Sequence, residues 1–416
     1  MTKKSDAPAI RFKGFSDAWE QRKFDEVFDC TVPNNTLSRA ELSYDEGTVL
    51  NVHYGDVLIK YGSVLDVQKD DIPRIPHRCR KDFIGALLQD GDVIIADTAE
   101  DETTGKACEI GNLQGSAIVS GLHTMVCRPR NRMALGYLGY YLNSNVYHHQ
   151  LLPLMQGIKV LSLSRSNIQK TSVSYPIAVK EQQLIAYYFS QLDNLITLHQ
   201  RKFEKLTNVK KSMLEKMFPQ NGSSYPEIRF KGFTDAWEQR KLGDCFTERV
   251  ESMPDGELIS VTINDGIKKF SELGRHDNSN DDKSKYKKVC VGDIAYNSMR
   301  MWQGASGYSS YEGIVSPAYT VLSPNSGINS KCLAYQFKLP EMIHTFQVNS
   351  QGITSDNWNL KYPVLSKIEI FVSKDEQEQA KIAEYFENLD NLITLHQREL
   401  EKLQNIKKSM LEKMFV

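Results

Sequence analysis

Long apolar stretches are absent from this chain of 416 residues, and no run of about 18 apolar residues occurs in it. The sequence therefore predicts no membrane-spanning helix. Its first ten residues are polar, and we do not expect them to act as a secretory signal. An excess of one charge is also missing, because 51 Lys and Arg residues balance 52 Asp and Glu residues. A neutral total neither requires nor excludes a nucleic-acid partner, since acidic residues elsewhere can offset a basic face.

Paired cysteine motifs are missing as well. The chain has seven cysteines, which is an odd number, and no two of them stand at C-x-x-C spacing. This pattern argues against a disulfide framework and against a zinc site, and it is typical of the reducing cytoplasm. We therefore predict a cytoplasmic protein without a metal site, in which the cysteines are core or incidental thiols.

Motifs with an obvious catalytic role are not found. The sequence has no G-x-x-x-x-G-K-[ST] loop, no dinucleotide fingerprint, no H-E-x-x-H pair and no G-x-S-x-G elbow. It also lacks the Asn/Asp-Pro-Pro-Tyr type of loop with which amino-methylating enzymes hold a flipped base. We therefore predict no catalytic residues and favour a binding protein, while a self-contained DNA-modifying enzyme and a protein-binding scaffold stay open as rivals.

What the chain does contain is repeated flanks. The segment IRFKGFSDAWEQRK at 10–23 recurs at 228–241 with thirteen of fourteen residues identical. Two further segments recur without change, namely LDNLITLHQR at 192–201 and 389–398, and KKSMLEKMF at 210–218 and 407–415. The repeats indicate a frame that performs one task twice.

The middles between these flanks, 24–180 and 242–377, share only short fragments. One fragment is a Gly-Asp turn before an apolar strand, GDVIIAD at 91–97 and GDIAYNS at 292–298, in which glycine is expected to supply a positive φ. Each middle alternates short β-rich runs with turns and then becomes helix-like, which predicts a strand-rich α/β or α+β domain closed by the long helix. Unlike middles suggest two versions of a second task, although a drifted tandem duplication is the alternative.

The distal repeat predicts a coiled coil, because its apolar positions follow a 4-3 spacing. Two such helices in one chain most simply pair with each other. We interpret the seam histidines as polar residues that fix register, while a metal or catalytic role is conceivable. The predicted seam residues are Ile185, Phe189, Leu192, Ile196 and His199 in the first copy and Ile382, Phe386, Leu389, Ile393 and His396 in the second.

The proximal repeat is rich in aromatic residues. Three of them fall within eight residues of a mostly polar segment, which is compatible with docking onto a partner and equally with packing onto the chain's own domain. These residues are Phe12, Phe15 and Trp19 in the first copy and Phe230, Phe233 and Trp237 in the second.

Basic runs with interleaved aromatic residues are candidate DNA contacts, since Lys and Arg neutralise phosphates and Arg and Gln can read base edges. A solvated charged loop is the alternative for each run. The candidates are Arg74, His77, Arg78, Arg80 and Lys81 in the first middle and Lys283, Lys285, Tyr286, Lys287, Lys288, Arg300, Trp302 and Gln303 in the second.

The two repeats, together with GDIAYNSMRMWQGASG in the second middle, resemble the specificity subunit of type I restriction-modification enzymes over essentially the whole chain. The resemblance implies an α+β fold with two target-recognition domains, each followed by a long helix. The two helices would pair as an antiparallel coiled coil with pseudo-twofold symmetry and space the domains. From the positions of the repeats, and from the prolines, glycine and serines of 219–227, we predict the segments 1–180 (first domain), 181–218 (helix), 219–227 (linker), 228–377 (second domain) and 378–416 (helix).

The same resemblance implies a function and its partners. Each domain would read one half of an asymmetric target in double-stranded DNA. Two methyltransferase subunits, which bind S-adenosylmethionine, would dock on the frame, and two motor-nuclease subunits would complete the complex. This chain would be non-catalytic and would hold no cofactor itself. Arg300, Trp302 and Gln303 would lie on DNA-facing loops, whereas the first middle departs from the family pattern with the acidic run GDVIIADTAEDETTGKA. The bases recognised do not follow from the sequence.

Overall fold

The computed structural model describes residues 7–263, 266–274, 276–277, 279–353 and 357–416. Across these ranges, no helix combines the length and the apolar character that a membrane crossing needs. The chain forms two compact units, one of Met1–Gln200 with Arg398–Val416 and one of Arg201–Gln397. We call them the first and the second unit. Each long helix therefore contributes to both units.

The elements of the first unit begin with an N-terminal strand and end in a long helix. Its helices are α1 Phe24–Val27, α2 Tyr54–Ile59, α3 Tyr137–Leu142, α4 Asn145–Leu151, α5 Arg165–Ile168 and α6 Val179–Lys216, the last of which continues into the second unit. Its strands are β1 Glu20–Lys23, β2 Phe28–Asp29, β3 Val49–Val52, β4 Val64–Asp66, β5 Arg74–Ile75, β6 Val93–Ala96, β7 Thr98–Ala99, β8 Ala107–Gly111, β9 Ala117–Ser120, β10 Thr124–Pro129, β11 Leu161–Ser162 and β12 Ser172–Tyr175.

The second unit follows the same general order. Its helices are α7 Leu242–Cys245, α8 Ser330–Gln336, α9 Pro340–Asn349, α10 Tyr362–Leu365 and α11 Glu376–Lys413, the last of which continues into the first unit. Its strands are β13 Glu238–Lys241, β14 Phe246–Glu248, β15 Ile259–Thr262, β16 Gly266–Lys269, β17 Lys287–Val289, β18 Ile294–Asn297, β19 Ser306–Tyr308, β20 Gly313–Val315, β21 Tyr319–Pro324 and β22 Glu369–Val372.

Both units are built on a comparable central sheet. Over the described residues, the sheet order is β2-β10-β6-β8-β4 in the first unit and β14-β21-β18-β19 in the second. The first unit adds the sheet β5-β3-β9, while the second adds the hairpin β15-β16 and the pair β17-β20. The strand that follows each Gly-Asp turn lies between two other strands of the central sheet. Its apolar side chains are buried. The predicted α+β class is confirmed.

The Gly-Asp turn has the same construction in both units. The glycine has a φ of 90° in the first copy and 96° in the second, which confirms the positive φ expected from the sequence. The aspartate after it is buried and paired with an arginine, Asp92 with Arg128 and Asp293 with Arg249, each at 2.7 Å. Arg128 lies on β10 and Arg249 directly follows β14, so different parts of the sheet supply the cation.

The proximal repeat is fixed to the start of each long helix by a buried ion pair. The Arg11 guanidinium donates to Glu181 on α6 at 2.6 and 2.8 Å, and Arg229 makes the same two-bond contact with Glu378 on α11. Both carboxylates are buried. The hydrogen bond to Glu181 raises the pKa of Arg11. Two bonds between planar groups fix orientation as well as distance.

The aromatic residues of this repeat pack onto their own units. Trp19 and Trp237 are buried, and the Trp237 indole N–H donates to Glu378 at 3.1 Å. Phe12 meets Tyr188 edge-on at 6.3 Å, and Phe230 meets its equivalent in α11 in the same way. Of the two interpretations left open by the sequence, the structure favours packing onto the chain's own domain for these aromatic residues.

The two long helices pair in opposite directions. In the first unit, Phe189 on α6 stacks on Phe415 at 5.7 Å, and Asp193 forms an ion pair with Lys407 at 2.5 Å. Along this contact the residue numbers rise on α6 and fall on α11, which makes the pairing antiparallel. The second unit repeats these contacts with the helices exchanged, as Phe386 with Phe218 and Asp390 with Lys210.

The predicted seam residues have graded burial. Ile185, Phe189 and Leu192 are buried in the core of the first unit, and Ile382, Phe386 and Leu389 are buried in the core of the second. The remaining four, Ile196, His199, Ile393 and His396, are half-buried. The first turns of each helix therefore belong to a domain core as well as to the helix pair. The predicted segment boundaries stay a prediction, since the helices begin at Val179 and Glu376 and the units are not contiguous stretches of chain.

A buried carboxyl group supports the start of α3. Glu109 on β8 is 1% exposed and accepts a hydrogen bond from the Gly139 backbone N–H at 2.9 Å. Burial raises the pKa of Glu109 to about 7, and the backbone N–H groups of Gly136, Leu138 and Gly139 oppose that rise. The residue lines a cavity of about 1250 Å³ in the first unit.

Phe415, near the end of the chain, belongs to the core of the first unit, and its replacement tests this contribution. Its ring lies among Trp19, Tyr137, Tyr141 and Phe189. We expect Phe415→Ala to destabilise this unit by about 3–5 kcal/mol, because it leaves a cavity in an aromatic core. Hydrogen exchange should accelerate at 134–142, far from the mutation in sequence. Phe415→Leu should cost less, and faster exchange confined to α11 would contradict the assignment.

Glu109 predicts a pH dependence of stability. The pKa of Glu109 is higher in the folded protein than in the unfolded chain, so the protonated carboxyl group stabilises the fold. This stabilisation is fully present below the pKa that Glu109 has in the unfolded chain, and it is lost as the pH rises through about 7. Glu109→Gln does not titrate. The melting temperature of the wild type relative to this variant should therefore fall between pH 5 and pH 8, by on the order of 5 °C. If calorimetry showed that the melting temperatures of the two proteins change with pH by the same amount, this prediction would be refuted.

Candidate nucleic-acid interface

Three predicted residues of the second unit meet in the connection between β18 and β19. Arg300 is exposed, and its guanidinium donates to the Gln303 side-chain oxygen at 3.2 Å. The Trp302 indole N–H donates to the Met299 carbonyl at 3.0 Å. Met301 is fully buried and anchors the turn. The loop therefore presents one cation, one amide and one indole side by side.

A second loop lies against this one. Trp358 meets Trp302 edge-on, with ring centroids 5.2 Å apart. The Leu360 backbone N–H donates to the Ser298 carbonyl at 2.8 Å, which ties the second loop to the end of β18. Aromatic rings beside a cation form a surface that suits nucleic acid, because bases stack on the rings while the cation meets phosphate.

Lys338 holds the first loop in place. Its ammonium group donates to three carbonyls, Gly304 at 2.6 Å, Ser306 at 2.8 Å and Ile263 at 3.1 Å. Burial and, to a smaller extent, the charge of Lys210 lower the pKa of Lys338 to about 8. The ammonium thus uses all three donors on backbone groups next to the Arg300 turn.

The lysine-rich run of the second unit divides into two parts. Lys285 is exposed and Lys283 is half-exposed. Lys287 and Lys288 lie on β17 and form ion pairs with Glu248 and Glu251, each at 3.3 Å.

The structure corrects the prediction that Tyr286 contacts DNA. It is 5% exposed, and its hydroxyl oxygen accepts the Asn280 backbone N–H at 3.2 Å. Its ring is therefore not available to stack on a base, and we withdraw it from the contact set. The alternation of lysines and one tyrosine did not reveal that the tyrosine points inward.

The basic run of the first unit forms one exposed segment along β5 and the turn after it. Arg74 lies on β5, and its guanidinium reaches the Gly47 carbonyl at 3.5 Å. The Arg80 guanidinium donates to the Gly115 carbonyl at 3.0 Å. His77 has a φ of 58°, so the chain turns sharply there. The exposed candidates are Arg74, His77, Arg78, Arg80 and Lys81.

The acidic run of the first unit follows β7. Glu100, Asp101 and Glu102 are exposed. Asp101 has a local structural role, since it accepts hydrogen bonds from the backbone N–H of Thr103 at 2.9 Å and from its hydroxyl, and these bonds lower the pKa of Asp101.

One cluster in the first unit was missed by sequence reasoning. Tyr44 lies between Arg39 and Lys60, whose cationic groups stand 5.3 and 4.7 Å from its ring centroid. The three residues are spread over 22 positions of the sequence, so no local run of basic residues announced them. An aromatic residue between two cations can be recognised here only in the folded structure.

Metal chemistry gains no support from side-chain geometry. Within the ranges that the structure describes, no group of three or more His, Cys, Asp or Glu side chains is placed to hold a metal ion. Five of the seven cysteines are buried, Cys290 is intermediate and Cys79 is exposed.

Comparison with known proteins gives one consistent picture. A family model described as "Type I restriction modification DNA specificity domain" matches residues 17–208 and 234–405. A curated protein of Methanocaldococcus jannaschii, "Putative type I restriction enzyme MjaX specificity subunit", is 25% identical over 239 residues, which cover 54% of this chain. The match spans 52% of that protein, so about half of its length is compared.

Solved structures resemble this chain over nearly its whole length. The crystal structure of a type I restriction-modification S subunit from M. genitalium superposes with a TM-score of 0.61 at 13% identity and covers 99% of both chains. The HsdS subunit from Thermoanaerobacter tengcongensis matches with a TM-score of 0.43 at 15% identity, covering 95% of this chain and 96% of that one. At such identities the first likeness shows the fold alone, and the second carries no argument.

Lys338 is the testable element of the candidate loop. Lys338→Met keeps the aliphatic stem but removes three hydrogen bonds to backbone carbonyls, which leaves those groups unsatisfied. We expect hydrogen exchange at 299–306 to accelerate about tenfold or more while the core strand β18 stays protected. Lys285→Met, at an exposed site of the same unit, is the control. Equal exchange in both variants would show that Lys338 does not hold the loop.

Proposed function

The chain belongs to the type I restriction-modification DNA specificity family, and we propose that it reads a bipartite, asymmetric target in double-stranded DNA for partner subunits. It is a specificity subunit with two DNA-recognition domains. We propose that each unit reads one half of the target. Two methyltransferase subunits would then methylate adenine using S-adenosylmethionine, and two motor-nuclease subunits would cleave DNA. This chain would act in the cytoplasm and would supply no catalytic group and no cofactor site of its own.

One observation carries the asymmetry of the proposed target. The two units repeat their internal frame contacts, including the buried pairs Arg11–Glu181 and Arg229–Glu378. They differ in what they expose, since the second unit presents the Arg300 turn and the first presents the basic segment at 74–81. Equal frames support two equal partners, and unequal surfaces support two different half-sites.

The chemistry of these surfaces suits DNA. Arg300 can donate to base edges in the major groove, and the Gln303 amide can both donate and accept there, where each base pair shows a distinct pattern. Exposed lysines and arginines such as Arg78 and Lys285 can neutralise phosphates, which adds affinity without sequence information. A domain that reads a sequence needs both kinds of contact, because base contacts provide specificity and phosphate contacts provide affinity.

Exchange of one recognition domain tests this function. Residues 242–377 would be replaced by the corresponding segment of another family member, and methylated adenines would be mapped in cells. The junctions are favourable because 242 follows β13 directly and 377 precedes Glu378, so the pair Arg229–Glu378 is retained. We expect one half-site to change completely while the other stays the same.

The control exchange replaces residues 24–180 and should change the opposite half-site only. If both half-sites changed together in either chimera, independent reading would be wrong. If the purified chain alone transferred methyl groups to DNA, it would be an enzyme and the proposed role would fail.

A further inference from the structure

Both units carry a loop that begins with the same three residues, although the middles are largely unlike. The loop begins with Gln-Gly-Ile, at 156–158 in the first unit and at 351–353 in the second. Ile158 is 99% exposed and Ile353 is 98% exposed. Single exposed apolar residues are common on protein surfaces. The recurrence of one almost fully exposed isoleucine at the same place in two diverged domains is not explained by that background.

The base of each loop is closed by paired backbone hydrogen bonds. Gln156 and Ser162 exchange two of them, at 3.0 and 2.8 Å, and Gln351 and Asn359 exchange two, at 3.0 and 2.9 Å. Each isoleucine thus lies inside a loop whose two ends are joined by backbone hydrogen bonds.

Each loop is also fixed to the strand that follows the Gly-Asp turn. Leu163 donates to the Asp97 carbonyl at 2.8 Å, and Leu360 donates to the Ser298 carbonyl at 2.8 Å. Asp97 and Ser298 end GDVIIAD and GDIAYNS, the two copies of that motif. The two loops therefore occupy equivalent positions.

The glycine next to the isoleucine sets the shape of the loop. A Cβ atom on Gly157 would lie 1.9 Å from the Val160 carbonyl oxygen, and one on Gly352 would lie 2.6 Å from the Asn357 carbonyl oxygen. Gly157 also has a φ of 121°. A side chain at either glycine would clash with a backbone carbonyl, so the backbone beside each isoleucine depends on glycine.

The surroundings of the loops indicate an anionic partner. In the second unit, Trp358 of the loop packs against Trp302, next to the exposed Arg300. In the first unit, the exposed Lys159 follows Ile158 directly, and Arg165 on the neighbouring α5 is exposed. The acidic residues 100–102 follow β7, the strand that pairs with this loop through β11, so the positive character is weaker in the first unit.

We propose that Ile158 and Ile353 are apolar wedges that enter duplex DNA, one at each half of the target. The proposal rests on the DNA-reading function inferred above and adds a contact of a different kind. Apolar side chains inserted between base steps unstack them without reading their identity. Such a contact would be of the same kind in both units, because both loops expose an isoleucine at the same place, whereas the base-reading residues differ.

The test uses the chain assembled with its methyltransferase subunits and the duplex that the complex methylates. Ile158→Ala and Ile353→Ala should each lower affinity for this duplex about tenfold, with the larger loss for Ile353. The slope of affinity against salt concentration should stay the same, because isoleucine neutralises no phosphate. Leucine at either position should restore most of the affinity. Ile59→Ala is the matched control, since Ile59 is 88% exposed on α2.

A fluorescent adenine analogue, 2-aminopurine, placed in either half-site reports unstacking of the bases. Each alanine variant should lose the signal in one half-site only. Unchanged affinity and fluorescence in both variants would overturn the proposal. Loss of the methyltransferase subunits from the complex of either variant would also overturn it, because the loops would then bind protein and not DNA. If the wild-type complex itself did not prefer its target duplex, the proposed function would fail instead.

Discussion

The organisation of both units depends on a buried ion pair at the start of each long helix. Glu181 and Glu378 are almost without solvent exposure, and each is held by two bonds from an arginine of the proximal repeat. A buried carboxylate without its partner would be strongly destabilising, by about 3–5 kcal/mol. The pair therefore fixes the beginning of the proximal repeat to the start of the long helix in each unit. Arginine suits this position because its planar group meets a carboxylate with two parallel bonds.

From that contact, the rest of the frame follows in the same way in both units. The residue after each glutamate, Gln182 or Gln379, accepts a backbone N–H through its side-chain oxygen and donates to a backbone carbonyl through its amide group. Further along, an aspartate of one long helix binds a tyrosine of the domain and a lysine of the other long helix, as Tyr140–Asp193–Lys407 in the first unit. The repeated sequence is thus a set of residues that satisfy one another within each unit.

The middles diverge in sequence but keep the physical requirements of their shared turns. The buried Asp92 and Asp293 both need a cation, and arginines from different positions in the fold supply it. The loops that begin with Gln-Gly-Ile differ in length between their closing residues, yet both are closed by two backbone bonds. Backbone hydrogen bonds do not depend on side-chain identity, so they survive where sequence similarity is lost.

The sequence by itself determined the duplication, the two long helices and the candidate surface at Arg300, Trp302 and Gln303, because these features are periodic or local. It could not decide the burial of Tyr286, the packing of Trp19 and Trp237, the place of Phe415 in the first unit, or the cluster of Arg39, Tyr44 and Lys60. Only the tertiary structure decided these. Each of them depends on contacts between residues distant in the chain, and local patterns carry no information about such contacts until the domain closes around its core.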